Sequence, residues 1–268
     1  MEREVRRTGS ILILAILVLV MIYGLTSAGV PATAVPIVID DIEHPCAHGW
    51  TPGMNNEPHN MSDSHLNRPP RTEPVRILLL MDDGLGANYD MEDTFPCIRK
   101  QLEQYGWEIK SAALQRRVKR CEYSTGIGLR PVTVDYLIGE VGDVSEYGIV
   151  CLLPGNTGMS SLLASPAALE FVRTAAQNNV ILAAWCKSVR VLAKAGLIDG
   201  LEVVGNADYK DEYEAAGATY LGNDHPPVTQ GNIITSVRGR YYRTAMCEAM
   251  RAAVMAKDDR PSSPPDSQ

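Results

Sequence analysis

Short apolar runs recur through the middle of the chain, each closed by a turn signal and most followed by a stretch of helical periodicity. The run Val75 to Met81 predicts a buried strand between Pro74 and a turn at Asp82-Asp83-Gly84-Leu85-Gly86. A helix is expected from about Tyr89 to Tyr105, closing at Gly106, and then a second strand, Trp107 to Leu114. The segment Tyr147 to Leu153 predicts another strand, ended by Pro154-Gly155-Asn156-Thr157-Gly158. Pro166 to Gln177 reads as a helix and Val180 to Trp185 as a strand, with an amphipathic stretch from Lys187 to Ala195 after it. Strands alternating with helices predict an α/β fold, a mostly parallel sheet covered on both faces. Ligands of such sheets bind beyond the carboxyl ends of the strands, and the turns after Met81, Leu153 and Trp185 all lie at that edge.

The residue that follows the last of these strands is Cys186. Strand, sharp turn and helix in succession, with a thiol at the turn, resemble the elbow that presents the nucleophile of many hydrolases. The unpaired N–H groups of a helix N-terminus favour the thiolate. The plain alternative is a buried strand cysteine that only packs, since free cysteine is among the most buried residue types.

Beyond that geometry, the chain resembles the ThiJ/PfpI superfamily, which holds PfpI-type proteases, heat-shock glyoxalases and a protein deglycase. The matching segments, in order, are Ile77-Leu78-Leu79-Leu80 through Glu92 and Pro96, then Val132-Thr133-Val134-Asp135 and Leu153 to Gly158. Ala183-Ala184-Trp185-Cys186, Ala195 to Gly200 and Gly231 to Ser236 complete the set. The resemblance implies a flavodoxin-like three-layer α/β/α sandwich over residues 75–257. It implies Cys186 as the elbow nucleophile and Glu92, four residues before Pro96, as the acid that hydrogen-bonds the thiol. It also implies an oxyanion hole around Gly155 and Asn156, joined by Lys187 next to the elbow. No cofactor and no metal belong to this set. The partner it implies is a small-molecule carbonyl or a peptide substrate, and a homodimer fits the family. A carboxyl beside a thiolate in a partly buried site is held protonated by desolvation and like-charge repulsion, so the set is chemically coherent.

The departures bear on the chemistry. PfpI-type members carry a histidine directly after the cysteine, where this chain has Lys187. Deglycase-like members carry one shortly after the next strand, where Asn206 stands. The Gly-Gly pair of the loop is reduced to Gly155-Asn156, and Ser188 replaces a glycine two residues past the thiol. His225 matches no catalytic position and reads as a solvated loop residue.

Outside the domain, Arg3, Arg6 and Arg7 precede an apolar run from Ile11 to Leu25. Residues 1–30 therefore read as a signal peptide or a single-pass membrane anchor, with the remainder translocated. The expected location is extracytoplasmic, anchored to the membrane or secreted after cleavage. Residues 31–74, with eight prolines and four of the five histidines, read as a disordered linker rather than a metal site, and 258–268 as a disordered tail. A net charge of -7 argues against nucleic acid as a partner. The basic run Arg116-Arg117-Val118-Lys119-Arg120 reads as a solvated face. Of the six cysteines, Cys151 is expected as a buried thiol and Cys97 with Cys121 as a conceivable pair.

Two function classes stay open. One is a cysteine-dependent enzyme acting on a carbonyl, as a glyoxalase/deglycase-type catalyst or an amide hydrolase. The other is a noncatalytic redox-sensing or ligand-binding domain in which Cys186 is reversibly oxidised.

Overall fold

A computed structural model of the chain describes residues 38–39, 75–88, 92–93, 98–99, 102–103, 105–122, 128–155, 157–223, 225–237 and 239–258. The expected signal peptide or anchor (1–30) and nearly all of the linker lie outside the described residues, as do residues 259–268 of the tail. Among the described residues no helix is long and apolar enough to cross a membrane.

Fourteen strands are described: β1 (Val38–Ile39), β2 (Arg76–Met81), β3 (Gly84–Asn88), β4 (Glu92–Asp93), β5 (Glu108–Ala113), β6 (Arg117–Glu122), β7 (Gly128–Thr133), β8 (Tyr136–Leu137), β9 (Ile149–Leu152), β10 (Ile181–Trp185), β11 (Glu202–Val203), β12 (Thr219–Tyr220), β13 (Val228–Gln230) and β14 (Ile233–Ser236). The helices are α1 (Ser160–Ala164), α2 (Pro166–Gln177), α3 (Val189–Lys194), α4 (Lys210–Ala215) and α5 (Gly239–Asp258). The main sheet has the order β13-β14-β10-β9-β2-β5-β8, and every pairing in it is parallel except β13 with β14. Its central strands are continuous apolar runs because both faces are covered.

Alternation along those strands divides the core into two layers. Ile77, Leu79, Met81, Ile149, Cys151, Leu153, Ala183 and Trp185 pack on one face against Ile98 and Leu102, and against Met246, Cys247 and Met250 of α5. Leu78, Leu80, Val150, Leu152, Leu182 and Ala184 pack on the other against Leu162, Leu169, Val172 and Leu192. Pro166 opens α2 at its first position, capped by the Ser165 hydroxyl, which accepts from Ala168 N at 3.2 Å.

The structure corrects the expectation for the segment after Met81. Gly84–Asn88 is a strand, Glu92–Asp93 is another, and helical residues are described only at 98–99 and 102–103. Glu92 therefore sits in β4, its backbone paired with Asn88, and not at a helix start. The glycines expected in a turn belong to a strand whose backbone is approached closely: Leu85 bridges Gly155, and a Cβ on Gly155 would lie 2.7 Å from the Gly84 carbonyl. Leu85 itself is fully buried.

A second, five-stranded sheet, β1-β7-β6-β3-β4, has no counterpart in the expected pattern. The basic run turns out to be largely β6 and alternates: Val118 and Arg120 are buried, whereas Arg117 and Lys119 are exposed. Arg120 reaches the Arg130 carbonyl at 3.1 Å, and Arg116 outside the strand pairs with Glu140. The expected solvated face is thus half interior, because the run has the period of a strand.

Candidate active site around Cys186

β10 carries five consecutive buried residues into the sheet and stops at Cys186, whose φ of 53° lies in the left-handed region. A branch-free cysteine at that angle still costs on the order of 1–2 kcal/mol relative to an ordinary backbone. The conformation persists because the surrounding groups determine it. A single turn of 3-10 helix, Cys186 to Ser188, follows and leads into α3.

Ser188 is the clamp of this turn. Its fully buried hydroxyl accepts from Trp185 N at 2.8 Å and stands 2.7 Å from the carbonyls of Leu152 and Trp185, to which it can donate its proton. One side chain thus closes the elbow on itself and ties it to the end of β9. From the other side the Cys186 carbonyl accepts from Asn206 N and from the Tyr213 hydroxyl, each at 3.4 Å. Asn206 is buried and its side chain accepts from Asp208 N at 2.9 Å. Burial pushes the Tyr213 hydroxyl far up, and the neighbouring Cys186 adds to the rise.

Cys186 is buried, with 6% of its surface exposed, and is not in a disulfide. Lys187 beside it is half-buried. Cys151 and Cys247 are also buried and neither is in a disulfide; burial, with Cys247 nearby, raises the Cys151 thiol well above its ordinary range. Such a thiol is a poor nucleophile at neutral pH. The expectation of Cys151 as a buried thiol holds. The side chains of Cys97 and Cys121 lie outside the described residues, and so does Cys46.

The loop after β9 meets the elbow at the same sheet edge. Asp82, 1% exposed, accepts from Leu162 N at 3.0 Å with one carboxyl oxygen and from the Thr157 hydroxyl with the other. Gly158 and Met159 both have positive φ. Arg190 holds the Gly158 carbonyl while pairing with both Glu212 oxygens at 2.7 and 2.8 Å and lying 4.0 Å over the Tyr209 ring. The Gly155 N–H donates to the Met159 sulfur at 3.1 Å, a bond buried within the loop. Asn156 lies outside the described residues, as does the side chain of Glu92. The structure therefore brings Cys186, Lys187 and the Pro154-Gly155 loop to one edge and places the backbone of Glu92 in the β3–β4 pair, which the Leu85–Gly155 bridge ties to that loop.

Four contributors had no role in the sequence expectations: Asp82, Tyr213, Arg190 and the Ser188 hydroxyl. Asp82 sits in a run that reads only as a turn, and its contacts across the chain show its role. His225 is exposed, its Nδ1 lying 2.8 Å from the Pro226 carbonyl. Among the described residues no cluster of three or more His, Cys, Asp or Glu is suited to a metal ion.

Comparison with known proteins bears on the fold and the family. An uncharacterized protein of Archaeoglobus fulgidus is 27% identical over 162 residues, 60% of this chain and 88% of that protein. The uncharacterized protease YdeA of Bacillus subtilis is 31% identical over 118 residues, 40% of this chain and 57% of that protein. Among solved structures, a ThiJ/PfpI domain protein from Brachyspira murdochii aligns with a TM-score of 0.55 at 18% identity, covering 70% of this chain and 100% of that one. Drosophila melanogaster DJ-1beta aligns with a TM-score of 0.52 at 22% identity, covering 69% and 95%. These structural likenesses are likenesses of fold. Residues 75–251 match the DJ-1/PfpI family, and the chain belongs to it.

Replacing Ser188 by alanine leaves the buried Trp185 N–H without its acceptor and frees the end of β9. The expected loss is about 1–3 kcal/mol of unfolding free energy, measured by urea denaturation. A Ser188→Ala protein as stable as the parent would show that the hydroxyl does not hold the elbow.

Proposed function

We propose that this DJ-1/PfpI-family domain is a cysteine-dependent enzyme that acts on small carbonyl compounds, with Cys186 as nucleophile. The observation that carries the reading is the strained backbone of Cys186 at the carboxyl end of a central parallel strand. A left-handed cysteine that the fold actively restrains is expected where a thiol must be presented. The two other described buried thiols, Cys151 in β9 and Cys247 in α5, lack a positive φ.

The choice among carbonyl chemistries rests on proton supply. Attack by a thiolate on a carbonyl carbon leaves an oxygen that must be protonated, and a carboxyl can shuttle that proton. In this proposal Glu92 has that role, and its register before Pro96 supports the assignment. Amide hydrolysis further requires a proton for the leaving amine, usually from an imidazole. The chain has one histidine after residue 65, and His225 is an exposed loop residue. At the position where deglycase-like members carry histidine, Asn206 is engaged in holding the Cys186 carbonyl and capping Asp208. Addition to an aldehyde or ketone therefore fits better than peptide cleavage. The same missing histidine supports the second reading, a redox-sensing domain in which Cys186 is the oxidised group.

Purified full-length protein is expected to consume methylglyoxal and to leave a peptide panel intact. Cys186→Ser should abolish turnover, and Glu92→Gln should lower kcat by about 10²–10⁴-fold. Full turnover by Cys186→Ser would eliminate Cys186 as nucleophile. Absence of turnover together with oxidation of Cys186 by dilute peroxide would favour the redox reading.

The same proposal keeps the domain outside the cytoplasmic membrane, tethered through residues 11–30 or released after cleavage. The arginines before Ile11 and the apolar run support it. Protease added to spheroplasts should digest the domain and spare cytoplasmic markers. Full-length protein in the cytosolic fraction would contradict this placement.

A further inference from the structure

Helix α4 reaches both halves of the candidate site from two consecutive residues. Tyr213 donates to the Cys186 carbonyl at 3.4 Å. Glu212 holds Arg190 of α3 with both carboxyl oxygens, and Arg190 in turn donates to the Gly158 carbonyl in the loop after β9. The elbow and the loop are thus referred to one short helix along separate routes.

Each nitrogen of the Arg190 guanidinium has a partner: Nε and Nη2 lie 2.7 and 2.8 Å from the Glu212 oxygens, and Nη1 is on Gly158. Its carbon lies 4.0 Å from the centre of the Tyr209 ring, and the side chain is only 18% exposed. A planar fork paired in this way and stacked on a ring has one orientation, which a lysine ammonium in its place would not reproduce. What it holds is backbone under strain, since Gly158 and Met159 have successive φ values of 72° and 67°. A Cβ on Gly158 would stand 3.2 Å from both Arg190 Nη1 and the Tyr209 hydroxyl, so the turn is seated directly on this clamp. Asp82 holds the same loop through Thr157 and the N–H of Leu162. Arg190 adds the link to the helix that follows the thiol.

We infer that Arg190, oriented by Glu212, is a positioning residue that fixes the Pro154–Met159 loop in register with the Cys186 elbow. The inference rests on the reading of Cys186 as nucleophile and of that loop as lining its site. Arg190 touches no reacting atom; it acts through the Gly158 carbonyl. A loop already in place when negative charge develops on the substrate oxygen lowers the barrier without tightening ground-state binding, so its loss is felt in kcat and not in KM. The coupling of α4 to the loop is a property of the fold and is measurable without any substrate.

The test compares full-length parent, Arg190→Met, Arg190→Lys, Glu212→Gln and Lys194→Gln proteins. Lys194 lies on the same helix and lines the same groove of about 720 Å³ between α1, α3 and α4, but is not part of the clamp. Hydrogen exchange of the peptide spanning residues 154–163, read by mass spectrometry, should be about tenfold faster in Arg190→Met, the loss of one charge-assisted hydrogen bond. Arg190→Lys should not restore the parent rate, Glu212→Gln should fall between, and Lys194→Gln should match the parent. With methylglyoxal, kcat of Arg190→Met should fall about 10- to 100-fold, while KM stays within about twofold. Parent-like exchange in both Arg190→Met and Glu212→Gln overturns the inference and leaves Cys186 untouched. So does faster exchange with kcat unchanged, or an equal effect of Lys194→Gln, which would be one of charge alone. A parent protein that turns nothing over, yet shows the exchange pattern, keeps the clamp on the loop and removes the catalytic reading.

Discussion

The catalytic proposal for this domain depends on one backbone angle, the positive φ of Cys186. An L-residue in the left-handed region is unfavourable by roughly 1–2 kcal/mol, and the groups around Cys186 are arranged so that it has no relaxed alternative. Ser188 closes the turn onto Trp185 and onto the end of β9. Asn206 and Tyr213 take the Cys186 carbonyl from the opposite side. Each such bond contributes about 0.5–1.5 kcal/mol net, so together they are of the size needed to hold the strained conformer. Relaxing the angle would also break the continuity of a strand that is fully buried between β9 and β14.

The second constraint is the approach of β3 to the loop after β9. Gly155 has no room for a side chain because the Gly84 carbonyl and Asp82 occupy the space. The Asp82 carboxyl then fixes the remainder of that loop through Thr157 and the start of α1. This ties the two sheets together at the edge where the thiol sits. The segment that bears Glu92 is an extension of the same β3–β4 pair, so its backbone is coupled to the loop and not to an independent helix.

The main sheet is largely legible in the sequence because its strands are buried on both faces and stand as unbroken apolar runs with β-branched residues and turn signals at their ends. Helix α2 is legible to the residue, since Ser165 and Pro166 make a strong start signal. Cys186 stands out because a thiol that ends an apolar run and opens a helical stretch has to sit at the carboxyl edge of the sheet. The second sheet is not legible. Its strands contain glycine in β3 and charged residues in β6, and gain stability from pairing partners far along the chain, which local periodicity does not report. The clamps are hidden for the same reason: Asp82, Ser188 and Tyr213 act through contacts with residues 75, 36 and 27 positions away. The roles of Glu92 and Asn156 rest on family register, their side chains being outside the described residues.

The strain at Cys186 can be measured without any assumption about substrate, by comparing the urea stability of Cys186→Gly with that of Cys186→Ala. Both remove the thiol, and they differ in whether the residue tolerates a positive φ. If the fold imposes the left-handed conformation, glycine is the more stable replacement by about 1 kcal/mol, although it is normally the worse one in regular structure. If the alanine protein is as stable as the glycine protein or more so, Cys186 is not held in a strained elbow, and the argument for a presented nucleophile fails.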